Sequence, residues 1–182
     1  MKRLPIPFSF GRYGISVRLV EITDAQYIIS LRTNEELSQH LHCTSGDLEK
    51  QIKWIEHYKE REQSGQEYYF LYEINGNPIG VNRLYDISDN IGVTGSAICP
   101  KTNSPIDTLA TIVLLYDIVF EEIGLDFVSF ATDNDNVHAL RVNNALGAVV
   151  ISENEKEKIF KLEKDDYFEI RKKLIRIWRL KV

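Results

Sequence analysis

Ile15-Ser16-Val17-Arg18-Leu19-Val20 alternates apolar with polar positions and predicts a strand. Thr23-Asp24-Ala25-Gln26 has the spacing of a capping box, and Tyr27, Ile28 and Leu31 then offer one helical face. Leu48, Ile52, Ile55 and Tyr58 recur every three or four residues, predicting a helix over 48–63 with Glu and Lys on its outer face. Tyr68–Ile74 and Ile79–Tyr85 are aromatic or branched runs joined by Asn75-Gly76-Asn77-Pro78. Asn and Gly tolerate the positive φ of a tight turn, so these runs predict a hairpin. A third strand over 91–98 follows the polar turn Ser88-Asp89-Asn90. Residues 106–123 are apolar almost all round, as in a buried helix, and 127–132 read as a buried strand. Asn136–Leu146 predicts a short helix, with Gly147 where a left-handed C-terminal cap is expected. Residues 148–152 and 158–162 predict a closing hairpin, and 167–180 a last helix.

The order is strand, two helices, three strands, helix, strand, helix, two strands and a C-terminal helix. That is an α/β chain with a mixed α+β sheet, and not the repeated alternation of a doubly wound fold. No repeat, low-complexity run or linker interrupts it. The expected organisation is a loosely structured arm over 1–14, one domain over 15–163, and a basic amphipathic helix over 164–182. A length of 182 residues suits a single well-buried domain.

Composition narrows the function. With 43% hydrophobic residues and a net charge of −5, the chain has enough apolar side chains to fold. The run Leu109–Phe120 is short and broken by Asp117, so no membrane span is expected. The basic start Met1-Lys2-Arg3 lacks a following apolar stretch, which argues against an export signal and for a cytoplasmic protein. The acidic balance gives no support to nucleic-acid binding. Cys43 and Cys99 have no short spacing, so neither a disulfide framework nor a metal site is expected.

Two segments carry most of the chemical information. One is the strand end Gly95-Ser96-Ala97-Ile98-Cys99-Pro100, followed by a loop and the buried helix. The other is Asn134–Ala148, in which Asn136, Ala139, Val142, Leu146 and Gly147 occupy an Asn-x-x-[Ser/Ala]-x-x-[apolar]-x-x-x-[apolar]-Gly pattern. Together with the element order, they resemble the GNAT acetyltransferase superfamily. Within it they look like the branch that includes the N-terminal acetyltransferases of ribosomal proteins. Ala148 stands where that family usually has Phe. The resemblance, over about 15–163, implies acetyl transfer from acetyl-CoA to a primary amine. It implies that the family's fourth strand splays from the fifth at a bulge and pairs with the pantetheine arm. A backbone N–H there polarises the thioester carbonyl. Carried over, this points to Ser96, Ala97 and Ile98, with Asn136 and Ala139 also facing the cofactor.

The family's pyrophosphate loop, [Gln/Arg]-x-x-Gly-x-[Gly/Ala], falls on Asn103-Ser104-Pro105-Ile106-Asp107-Thr108, which has no glycine. Ser104-Pro105-Ile106-Asp107 is itself a capping box with proline at the first helical position. Such a cap consumes N–H groups that a pyrophosphate would use, and Asp107 adds a negative charge. Each effect costs on the order of 1 kcal/mol of anion binding.

The proton carriers stay open. Attack on a thioester needs a neutral amine, so a base or water relay must drain a proton. Asn143 stands where many relatives place a thiolate-protonating Tyr. Thr94 and Ser96 are the polar side chains of the strand, and His40, His42, Glu73, Tyr85 and Asp133 are the remaining candidates. His40 and Tyr85 are also candidate acceptor contacts, against the plainer readings of a solvent-facing histidine and a packed tyrosine. Cys99 reads as a small buried hydrophobe, because no His partner is placed beside it.

The last twelve residues carry six cations (Arg171, Lys172, Lys173, Arg176, Arg179, Lys181) and no acid, beside an apolar stripe of Ile170, Leu174, Ile177 and Trp178. Either the helix meets a membrane surface or acidic partner, or its stripe packs on the domain or a second copy of the chain. Two functions follow. The leading one is an acetyl-CoA-dependent N-acetyltransferase acting on a small amine, such as an amino sugar carried on a nucleotide, or on a protein N-terminus. The other is a binding module of the same fold that has lost normal CoA binding.

Overall fold

A computed structural model describes residues 1–41 and 44–181. Its eight strands form one sheet in the order β1-β2-β3-β4-β5-β6-β8-β7. These are β1 (Ser9–Arg12), β2 (Ile15–Leu19), β3 (Tyr68–Ile74), β4 (Asn77–Ser88), β5 (Ile91–Ile98), β6 (Phe127–Asp133), β7 (Val149–Glu153) and β8 (Glu157–Glu163). Every neighbouring pair is antiparallel except β5 and β6. The helices are α1 (Ala25–Arg32), α2 (Glu35–Ser38), α3 (Leu48–Ser64), α4 (Pro105–Asp117), α5 (Val137–Ala145) and α6 (Lys164–Ile177).

Alternation along the strands splits the core into two layers. Tyr68, Phe70, Tyr72, Leu84, Val128 and Phe130 pack with α4, α5 and α6 on one face. Tyr69, Leu71, Val81 and Ile98 pack with Ile28, Leu31, Ile55 and Tyr58 of α1 and α3 on the other. β3 is therefore buried on both sides, which its unbroken aromatic run reflects.

Several local expectations are met. Asn75 and Gly76, both at positive φ, join β3 to β4. Gly147 closes α5 in the left-handed region at φ 83°. Others are corrected. Residues 9–12 are not a loose arm: they pair with β2 through a tight turn at Tyr13 and Gly14, both at positive φ. Tyr is an uncommon residue for that conformation, so the turn carried no Asn-Gly signal. The first helix is capped differently as well. Asp24 Oδ2 accepts from the Glu21 N–H at 2.8 Å and binds Arg18, so a short 3₁₀ turn at Ile22–Asp24 leads into α1. The long apolar helix begins at Pro105 and widens into a π-helical turn over Ile118–Ile123.

α6 lies on the domain. Tyr167 and Leu174 are buried, and Trp178 packs against the same core layer. Ile177 is the member of the predicted stripe left exposed. Arg171, counted above among the six cations of the last twelve residues, turns inward to the acids of the helix beneath.

Candidate active site

β5 and β6 are hydrogen-bonded only over their first residues, at Ile91–Phe127, Gly92–Val128 and Val93–Ser129. Beyond that point they part. β5 stays with β4 as far as Ile98, while β6 stays with β8 as far as Asp133. The cause lies in β5. Val81 pairs with Ile98 and Arg83 with Gly95, so the single residue Asn82 faces both Ser96 and Ala97. This two-against-one bulge holds Ser96 in the left-handed region at φ 55°. A bulge bends its strand and sharpens the twist, here opening the sheet between its two parallel strands. The backbone edges of 94–98 and 130–133 are left without a ladder partner across the gap, a slot that an extended, amide-bearing arm can fill as an added strand. The Asn82 Oδ1, buried opposite the bulge, also has no hydrogen-bond partner among the described residues.

Two helix N-termini flank the slot, and both are capped by their own chain. Ser104 Oγ accepts from the Asp107 N–H at 3.1 Å, and the Ser104 carbonyl accepts from the Thr108 N–H. Pro105 has no N–H, so Ile106 alone offers a free donor in the first turn of α4. Asn103 ties the loop to β4: its amide donates to the Ile79 carbonyl at 2.6 Å. At α5, Asn136 Oδ1 accepts from the Ala139 N–H at 3.1 Å. Both assigned cofactor positions there thus serve the cap.

Asn143 is buried on α5, where its Nδ2 donates to Thr132 Oγ1 on β6 at 2.9 Å. It stands beside the slot with one donor already committed. Thr94 is buried towards α4. Tyr85 lies on β4 opposite Val93, its ring 4.9 Å from the Arg83 guanidinium and its hydroxyl close against Gly95. Burial raises its phenol above the ordinary range. Glu73 is removed from the slot: it sits on β3 and binds Arg18. Cys99 is half-buried, and desolvation pushes its thiol up to about 11, which suits a packing residue and not a nucleophile. His42 and Cys43 lie outside the described residues.

His40 and Asp133, separate candidates in the sequence, are brought together. His40 Nδ1 lies 3.2 Å from Asp133 Oδ2, at the C-terminal end of β6, past the point where β5 and β6 part. A second cluster escaped sequence reading. Arg61 and Arg83 both bind Glu67, and the Arg83 guanidinium stacks 4.9 Å from the Trp54 ring. Beside it is a cavity of about 130 Å³ lined by Arg32, Thr44, Gln51, Trp54, Tyr69 and Arg83. The cluster occupies the α1–α3 face, one strand from the bulge. The Asn75-Gly76 turn by itself would set Asn82 opposite Tyr69; a bulge between Tyr72 and Glu73 shifts the register by one residue and brings Arg83 there instead. Neither that shift nor the approach of Trp54 was readable in advance. Among the described residues no group of acids, histidines and cysteines is arranged to hold a metal ion, and no helix is long and apolar enough to cross a membrane.

Comparison with known proteins agrees with this architecture. The family model of the acetyltransferase (GNAT) domain matches residues 15–149. Apo FdhC, a nucleotide-linked sugar GNAT, superposes with a TM-score of 0.83 at 29% identity, over 96% of this chain and 98% of that one. The ribosomal-protein-S5-alanine acetyltransferase of Vibrio fischeri gives 0.76 at 19% identity, over 88% and 98%. The spermidine N-acetyltransferase of Vibrio cholerae, solved with CoA and spermine, gives 0.72 at 18% identity, over 86% and 99%. A search of curated proteins found no match.

Proposed function

Since the chain belongs to the GNAT acetyltransferase family, we propose that it moves an acetyl group from acetyl-CoA to the primary amine of a small anionic acceptor, an amino sugar carried on a nucleotide. The observation that carries the reading is the slot between β5 and β6, opened by the bulge at Ser96 and Ala97. The pantetheine arm lies along β5 there, and a backbone N–H of Ser96, Ala97 or Ile98 draws negative charge onto the thioester oxygen. An N–H already aimed at that oxygen needs no reorganisation as charge develops. The amine enters from the α1–α3 face. Holding it against the thioester carbon supplies much of the rate by proximity.

Three features favour an anionic acceptor. The cavity over β3 and β4, one strand from the bulge, presents Arg32 and Arg83 with Trp54 and Tyr69. Arginine forks fit phosphate oxygens and aromatic rings stack on a base, which suits a nucleotide better than a polycation. Within the cluster Arg61 and Arg83 share one acid, Glu67. The similar structure at 29% identity is itself a nucleotide-linked sugar GNAT.

Thiol release from acetyl-CoA tests the reading, with a nucleotide-linked amino sugar, an N-terminal peptide and spermine offered in parallel. The sugar nucleotide is expected to exceed the others in kcat/KM at least tenfold; a preference for peptide or polyamine overturns the acceptor assignment. A second reading, a binding module without normal CoA affinity, is favoured by the self-capped N-terminus of α4. Calorimetry with acetyl-CoA separates the two, because absence of heat at millimolar ligand removes the enzyme.

A further inference from the structure

The short segment around α2 spans the mouth of the slot. On one lip, Glu36 Oε2 of α2 binds Lys101 Nζ, just past the end of β5, at 2.9 Å. On the other, His40 Nδ1 meets Asp133 Oδ2 at the end of β6 at 3.2 Å. Asp133 shares its strand face with Ser129 and Ala131, opposite the face through which Thr132 contacts α5. This is the α1–α3 side, from which the amine approaches. The imidazole is therefore held at the mouth of the slot, and it is only partly exposed.

We propose that His40 is the proton acceptor of the transfer and that Asp133 is its positioning residue, a role resting on the acetyltransferase reading above. A carboxylate on Nδ1 selects the tautomer with its proton on that nitrogen. Nε2, which has no hydrogen-bond partner among the described residues, then carries the lone pair. Asp133 also stabilises the imidazolium once it forms. In the step, the neutral amine nitrogen forms a bond to the thioester carbon while one N–H proton passes to Nε2. The C–S bond breaks with its electron pair on sulfur. The imidazolium returns the proton to the thiolate through water, leaving amide and free thiol. The charged groups along this bridge are Asp133, Glu36 and Lys101.

Two measurements on the full chain test the proposal. The first uses NMR of isotope-labelled imidazole nitrogens, with H40Q assigning the His40 signal. At pH 8 His40 is expected as the Nδ1–H tautomer, and Asp133→Asn is expected to disturb it. A dominant Nε2–H form overturns the proposal whether or not an acceptor is known. The second is the pH profile with the best acceptor. His40→Gln is expected to lower kcat by about a hundredfold or more with little change in KM, and to remove the imidazole limb. Asp133→Asn should lower kcat with little change in KM, as expected when the imidazole loses the partner that orients it, and Asp133→Glu should restore it. If H40Q keeps kcat within twofold and the limb in place, the limb belongs to the amine and the proposal fails. Should the wild type acetylate no amine at all, the function reading falls, and the tautomer measurement still decides the state of His40.

Discussion

Asp117 Oδ1 lies 2.9 Å from Arg171 Nε, an ion pair that joins the fully buried acid of α4 to the helix laid over it. The same carboxylate takes Tyr167 on Oδ1, and Arg12 and Tyr13 on Oδ2. The acid that breaks the apolar run in the sequence is thus where both chain ends are fastened to the core. Removing one partner of a buried charge network leaves the others desolvated and unpaired. Glu121 still binds Arg12 and Arg171, which softens the loss. Asp117→Ala is expected to cost about 3 kcal/mol in urea denaturation, whereas Ile177→Ala on the exposed side of α6 should change little.

The bulge gives a backbone test of Ser96. A residue at positive φ is strained by a β-branched side chain and relieved by glycine. Ser96→Gly is expected to keep stability and activity, and Ser96→Val to lose about 1–2 kcal/mol together with most of its acetyl transfer. If glycine abolishes turnover while the fold persists, the serine hydroxyl and not the strand shape is the working feature.

At the N-terminus of α4, Asp107 lies next to the one free donor of the first turn. Asp107→Asn keeps the backbone bond to Ser104 and removes a negative charge. Relief of about 0.3–1 kcal/mol predicts a two- to fivefold lower KM for acetyl-CoA at low salt, fading as salt rises. An unchanged KM would mean that the pyrophosphate lies elsewhere.

Arg83 separates acceptor binding from chemistry. Arg83→Gln should raise KM for a nucleotide-linked amino sugar about tenfold or more, as expected for losing a charge-assisted hydrogen bond. The KM for a small uncharged amine should hardly move. Equal effects on both acceptors would point to lost packing against Trp54.

Burial predicts an alkaline limit. Tyr69 and Tyr116 are raised to about 12 by desolvation, and Tyr72 also lies well above the ordinary range. Their folded values exceed the unfolded value near 10, so the fold favours the protonated form. That contribution is whole below about pH 10 and is lost as pH rises through 12, where the unfolded chain binds fewer protons. Tyrosinate absorbance should therefore rise together with loss of the fold across this window; a free titration centred near 10 would contradict the packing.

What could be read from the chain follows the range of the physics involved. Periodicity, caps and turns act within a few residues, so the order of strands and helices, the Asn75-Gly76 hairpin and the Gly147 stop were legible, and with them the resemblance that located the slot. Contacts between distant segments left no local trace. The pairing of β1 with β2 turns on a Tyr-Gly bend without the usual residues. The bulge depends on β4 and β5 failing to keep equal length across Asn82. His40 and Asp133 are ninety-three positions apart and meet only because the sheet parts between β5 and β6. The amino-acid order thus determined the elements and the chemistry available to them. Which side chains share the mouth of the slot was decided by strand pairing and packing, since burial and hydrogen bonding are satisfied for the whole molecule at once.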